Sequence, residues 1–331
     1  MALTLAQVAK LEIPDIKRYI ILNIIRYAKL MEWLPFQNVS SLKSIAIRWQ
    51  TLPAVAFRGV NGTYTPSEGE FEQVYESLFG FGGEIKYDRV FEKVSNYIQE
   101  PKRAFLDQKV KSMGFTFNDY LINGDPGTDP LGFSGLKYRV AAMPSRQSVY
   151  FAGSTSAPLD PTASAANGLL FFQHLDEMYK YCNEGDVKAW LSNEDVYLGV
   201  GRVARYLQQG GGGMLSTTKD TLGRDFATYR GIPIMDAGWK KDQSTEIITN
   251  TETAGDAGAD STSIYAVSFD EQQGVTGIQL SDMEVYDPNN GGEMETAPAK
   301  LMRIEWWCGL ASFGSHGIVR GRNLAAPSSW T

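Results

Sequence analysis

The residues with the clearest chemical potential lie between Asn123 and Leu136, in "NGDPGTDPLGFSGL". Gly127, Gly132 and Ser134 fall at the glycine and hydroxyl positions of a phosphate-binding loop, where backbone amides cradle phosphate and a lysine supplies charge. Phe133 stands where that lysine is required, and Pro126 and Pro130 each remove an amide donor. A phosphate loop also joins a strand to a helix, whereas here a helical pattern comes first and a strand-like one follows. The residues therefore predict a rigid turn of glycine and proline rather than a nucleotide site.

Other chemistry is equally poorly supported. "GVGRVA", Gly199 to Ala204, fits a loose dinucleotide fingerprint with Asp220 downstream, but "QQGGGG" follows within about two helical turns, so a short helix running into a glycine loop is expected. His174 and His316 are the only histidines, which removes His-rich metal sites; His174 sits in an apolar helical pattern and reads as a core or interface residue. Cys182 and Cys308 have no CxxC partner and read as buried thiols rather than as a disulfide or a zinc cluster. The acidic run Asp256 to Asp260, diluted by Gly and Ala, reads as a solvated loop. No catalytic, cofactor-binding or metal-binding residue is assigned.

The elements that position these residues follow from periodicity. The 331 residues, 43% of them hydrophobic, suffice for a large packed core. A net charge of -7 argues against a protein whose main task is gripping nucleic-acid phosphates. "YIILNII" is too short to cross a bilayer and the N-terminus lacks secretory features, so a soluble chain in a reducing cytoplasm is expected. Leu5 to Met31 shows amphipathic helical spacing broken near Pro14. "SIAIRWQTLPAVAFRGV", the turn-rich "NGTYTPSEGE" and "FEQVYESLF" read as a long two-stranded arm with a polar tip.

From about Ser95, apolar residues step by threes and fours from Phe105 to Leu121, which predicts one long helix ending at Asn123-Gly124, with Gly114 marking a bend or close contact. A strand around "GLKYRVAA", a loop at "STSAPLDPTASAAN" and a helix at "LLFFQHLDEMYKYC" are expected next. "DVYLGV", "IPIMDAG", "SIYAVSF", "GIQL", "MEVYD", "LMRIEWWCGLASF" and "HGIVRGRNL" are then strand candidates, making the fold class mixed α+β.

In this order the pieces resemble tailed-bacteriophage major capsid proteins, a fold shared with bacterial encapsulin nanocompartments. "FNDYLINGDPGTDPLGFSGL" is similar to the exit of that family's spine helix, and "LPAVAFRGVNGTYTPSEGEFEQVYESLFGFGGEIKYDRVFEK" to its extended-loop hairpin. "YRGIPIMDAG" resembles an axial-domain strand and "GLASFGSHGIVRGRNL" the closing strand.

The resemblance implies an N-terminal arm over 1–43, the hairpin over 44–92, a peripheral domain with the spine helix over 93–185, an axial domain over 186–289 and return strands over 290–331. It further implies subunit contacts through Trp49, Phe57, Tyr64, Phe71, Tyr75 and Phe79, and a shape-giving turn at Asn123, Gly124, Asp125, Gly127 and Gly132. The implied function is structural: hexamers and pentamers of an icosahedral phage head, assembled in the bacterial cytoplasm. Its implied partners are copies of itself, separate scaffolding, portal and decoration proteins, and double-stranded DNA touched without sequence specificity. No cofactor is implied and no membrane contact. An encapsulin-like shell is the alternative, and a nucleotide-dependent α/β enzyme the reading from another class.

Overall fold

The computed structural model describes residues 3–4, 23–24, 27–93, 101–151, 157–207, 216–219, 225–253, 260–289, 292–294, 297–314, 316–327 and 330. Most of the predicted N-terminal helix, the "QQGGGG" loop and most of the acidic run lie outside them.

In chain order the strands begin with β1 (Leu3–Thr4), β2 (Pro35–Asn38), β3 (Lys43–Thr51), β4 (Glu70–Ser77), β5 (Phe79–Asp88) and β6 (Ser148–Tyr150). They continue with β7 (Ala189–Ser192), β8 (Ser216–Lys219), β9 (Asp225–Tyr229), β10 (Ile232–Asp236) and β11 (Ser261–Val267). The last four are β12 (Val275–Gln279), β13 (Glu284–Tyr286), β14 (Ala299–Ser312) and β15 (Ile318–Ala325). The α-helices with described bounds are α1 (Val90–Lys93), α2 (Pro101–Asn123), α3 (Leu136–Ala141), α4 (Ala165–Tyr181) and α5 (Glu194–Leu207). None of the described helices is long and apolar enough to cross a membrane.

Two sheets carry the body of the molecule. In the first, β14 is the central rail: β5 runs antiparallel along it from Ala299 to Cys308, while β13 and then β12 pair with it. Because β5 and β13 both pair with residues 303–305, they occupy opposite edges. β2 extends this sheet beyond β12, and β1 lies beyond β2. The second sheet has seven strands in the order β6, β15, β11, β7, β10, β9, β8. All seven residues of β11 are buried, as a strand covered on both faces requires.

Alternation along this second sheet divides two cores. Trp190, Ile234, Ile264, Ala266 and Val319 pack with Phe171, Leu175, Val196 and Val203 of α4 and α5. Their neighbours Leu191, Met235, Tyr265, Val267 and Ile318 instead join the core of the 23-residue helix α2. That helix is about 35 Å long and buries Leu106, Val110, Met113, Phe117 and Leu121 along one stripe. Trp306 of β14 stacks on Phe117 with ring centroids 5.6 Å apart. Gly114 marks a close contact: a Cβ there would lie 3.1 Å from Tyr27 Cβ and 3.3 Å from the Ile24 carbonyl, where the preceding segment crosses the helix.

Two strand expectations are corrected. "GLKYRVAA" forms helix α3, because the buried residues are Leu136, Arg139 and Val140, at helical spacing. "DVYLGV" lies in helix α5, whose buried Val196, Gly199, Val200, Val203 and Ala204 follow the same spacing, and Asn193 Oδ1 accepts the Val196 amide at 2.9 Å to cap it. Pairing also crosses the expected segments. Helix α4, from 93–185, covers the same sheet as α5, from 186–289, whereas β12 and β13, from 186–289, join β5 and β14.

Candidate assembly surface: the free hairpin and the turn below the long helix

β3 and β4 form a separate two-stranded ribbon. Residues directly opposite in an antiparallel pair share a face. Tyr75, opposite Ile45, shares a face with Phe71 and Gln73, while Glu72, Val74 and Glu76 lie on the other. Ile45, Phe71 and Tyr75 are exposed at 57%, 68% and 61%, so the described chain leaves its own aromatic face largely uncovered.

Pairing stops at Thr51 and Glu70, short of the extent that the sequence predicts. A Cβ on Gly69 would sit 2.8 Å from the Thr51 carbonyl and 3.0 Å from Pro53 Cδ, so the neck is tight. Beyond it Phe57 and Tyr64 are exposed, with Arg58 5.2 Å over the Tyr64 ring. Phe79 lies apart from these residues: it is half-buried in β5, paired with Cys308 and packed against the main core.

A residue pair that sequence reasoning missed fixes the base of this arm. Glu76 and Arg139 are both buried and form a two-point ion pair, Arg139 Nη1 to Glu76 Oε1 at 2.5 Å and Nη2 to Oε2 at 2.9 Å. Arg139 also donates to the Leu310 carbonyl at 2.6 Å and to the Ser134 carbonyl at 2.9 Å. The hairpin, β14 and the turn before α3 thus meet on one guanidinium, whose planar fork suits this task. The only sequence signal was a carboxylate inside an otherwise apolar strand end, "YESLF".

Next to it Lys137 reaches Glu252 at 2.9 Å, and Arg320 reaches the same carboxylate at 2.8 Å. Burial works to raise the Glu252 carboxyl, but Arg320, Ser263 and Lys137 together hold it below its ordinary value.

The turn leaving α2 is built for shape. Gly124 donates to the Tyr120 carbonyl at 2.9 Å and accepts from Gly135 at 2.8 Å, and a Cβ on Gly124 would fall 2.4 Å from the Phe133 carbonyl. Asn123 donates to Asp119 and to the Ile247 carbonyl, each at 2.8 Å. Gly127 donates its amide to Asp125 at 2.8 Å, and Gly132 donates to the Asp129 carbonyl at 3.2 Å, so these two amides are already satisfied within the turn. A Cβ on Gly132 would lie 2.3 Å from the Tyr120 ring.

Phe133, at the position of a phosphate-loop lysine, is buried against Phe117 and Tyr120 with centroids 5.6 and 6.1 Å away. Tyr120 donates to the Asp129 carboxylate, and that bond, with burial, pushes its hydroxyl up to about 12. Asp125 and Asp129 place carboxylates where a phosphate would need cations.

The remaining candidates are structural too. Gly199 lies mid-helix, where a Cβ would fall 2.1 Å from the Trp330 ring, so it serves packing rather than a pyrophosphate. His174 pairs with Glu177 at 3.0 Å and lies edge-on to Phe151. Cys182 and Cys308 are buried free thiols, and burial pushes Cys182 up to about 12. Among the described residues no cluster of His, Cys, Asp and Glu is suited to hold a metal.

One groove stands out on the body. It encloses about 460 Å³ between α2 and β5, with Phe105 and Phe115 in its lining beside Lys86, Lys109, Lys111 and Lys241.

The described chain is a body of two sheets around one long helix, with a separate two-stranded ribbon. No protein-family model matches the chain, and no curated protein sequence does. Solved structures do. The SrpI encapsulin of Synechococcus elongatus PCC 7942 superposes with a TM-score of 0.63 at 14% identity, over 92% of this chain and 89% of that one. The capsid of a native GTA particle gives 0.57 at 11% identity over 90% and 91%, and a chain from Mycobacterium phage Bobi gives 0.54 at 11% over 90% and 89%. The chain therefore has the mixed α+β fold of phage capsid proteins and encapsulins.

Proposed function

We propose that this chain is a non-catalytic shell subunit that assembles with copies of itself as hexamers and pentamers into the icosahedral head of a tailed phage, enclosing double-stranded DNA. The observation that carries this reading is the aromatic face of the β3–β4 ribbon, which is uncovered within the described chain. An isolated two-stranded ribbon is marginal in water, so such a face needs a second surface. Closed symmetric shells supply one by repeating a single contact in every copy. Fully covering Phe71 and Tyr75 would contribute about 2 kcal/mol each before ordering costs.

The groove beside α2 suits the seat. Its phenylalanines, Phe105 and Phe115, offer apolar surface to the aromatic face of an incoming ribbon. The net charge of -7 suits a wall from which packed DNA slides. Scaffolding, portal and decoration proteins would complete such a head.

The test replaces the aromatic face by Phe71→Ser with Tyr75→Ser. The variant should keep the unfolding transition of the parent subunit and lose particle formation. Particles at parental yield would remove the ribbon from the mechanism.

A second reading, an encapsulin-like nanocompartment, is favoured by the 0.63 TM-score to the Synechococcus shell. It keeps the same contacts and changes only the contents, so analysis of enclosed DNA against enclosed protein separates the two.

A further inference from the structure

The hairpin tip reads Gly59-Val60-Asn61-Gly62. In an Asn-Gly dipeptide no side chain shields the backbone nitrogen that follows the asparagine, so its attack on the carboxamide carbon meets the least steric opposition. The sequence holds such dipeptides at Asn61, Asn123, Asn167 and Asn290, and the last lies outside the described residues. The other three sit in contrasting surroundings.

At the end of α2, the Asn123 carboxamide donates at 2.8 Å to both Asp119 and Ile247, and the Gly124 amide is held by Tyr120 at 2.9 Å. Within α4, Asn167 donates to the Asp160 carbonyl at 3.0 Å and the Gly168 amide bonds Ser164 at 3.0 Å. Attack at either site first requires opening a packed helix.

Asn61 differs in its exposure, its backbone and the partners of its side chain. It is exposed, its backbone is left-handed at φ +68°, and no described residue bonds its carboxamide. The Gly62 amide makes one exposed turn bond, to Gly59 at 3.1 Å. Arg58 Nη1 donates to the Gly62 carbonyl at 2.9 Å, which puts a cation in the same turn.

We propose that Asn61 is a site of spontaneous covalent modification, converting to aspartate and isoaspartate while Asn123 and Asn167 persist. Gly62 N gives its proton to solvent hydroxide and attacks Asn61 Cγ. The new C–N bond closes a succinimide as the Cγ–Nδ2 bond breaks, and the leaving NH2 group takes one proton from water to depart as ammonia. Water then opens the ring at either carbonyl. The net change consumes one water, releases one ammonia and needs no oxidant or enzyme. It adds a negative charge at the tip, and the isoaspartate form inserts a methylene into a turn shaped around a left-handed residue. On the shell reading, a neighbour that covers the tip slows this conversion in assembled particles relative to free subunits.

The experiment incubates the full chain in mildly alkaline buffer and follows each asparagine by peptide mapping, with isoaspartate detected by enzymatic methylation. Conversion at Asn61 is expected to outpace Asn123 and Asn167 by roughly a hundredfold or more, since local opening at exposed turns costs far less than opening packed helices. Gly62→Ala should slow it without altering unfolding. An unconverted Asn61, or one no faster than the two helical sites, overturns the proposal. Equal Asn61 rates in particles and free subunits would overturn only the covering of the tip.

Discussion

The single guanidinium of Arg139 joins the hairpin, β14 and the turn before α3. It has its carboxylate partner and two carbonyl acceptors inside the core, so replacing Glu76 by glutamine leaves a buried charge without compensation. Glu76→Gln should destabilise the subunit by about 3–5 kcal/mol, read from the denaturant midpoint, and the double change with Arg139→Met should recover part of that loss. A loss within 0.5 kcal/mol, about the scale of an ordinary surface change, would show that the pair is not a strut.

Glu246 makes a complementary prediction about pH. Burial, then Asp195 and Asp236, raise its carboxyl from 4.5 to about 7. The folded state therefore holds a proton that the unfolded chain releases, so stability is full below about 4.5 and falls as pH climbs to about 7. Glu246→Gln should flatten this decline and gain roughly 1 kcal/mol at mildly alkaline pH, after discounting for solvent screening. An unchanged slope of melting temperature against pH would contradict it.

At the scale of elements, the ribbon and the long helix are separable in their tasks. The tip from Asn61 to Gly69 is almost wholly exposed and touches little of the body, so deleting it should leave the melting temperature within a few degrees and impair shell assembly. Unimpaired assembly, measured as particle yield by sedimentation, would make the tip dispensable.

Elements whose burial follows one clear period were legible in the sequence: α2 from its stripe of Leu106 to Leu121, and β10, β11, β14 and β15 from their apolar runs. Helix α3 was misread because its buried positions include Arg139, which counts as polar until its partner is known, leaving Leu136, Tyr138 and Val140 to mimic alternation. In α5 the buried face includes Gly199 and Ala204, residues too small to announce a stripe. Strand β5 was hidden by Gly80, Gly82 and Gly83; at Gly82 a Cβ would fall 2.1 Å from the Ile304 carbonyl, so close approach to β14 demands glycine there. At the turn leaving α2, Phe133 and the prolines already showed in the sequence that the means of binding phosphate were missing. The Glu76–Arg139 strut was not, since 63 residues separate its halves.

For the whole molecule, sheet, helix and ribbon make sense together as one tile. Strand β11 of the seven-stranded sheet is buried on both faces and the long helix lies in the other core, while the ribbon carries apolar surface away from them. On the proposed reading neighbouring copies would cover that surface, and the chain shares its fold with an encapsulin and with phage and GTA capsids. Electron microscopy of the purified full chain, taken through a range of protein and salt concentrations with and without a co-expressed scaffold, tests this most directly. The account predicts closed shells of uniform diameter built from pentameric and hexameric units, and compact monomers under every condition would contradict it.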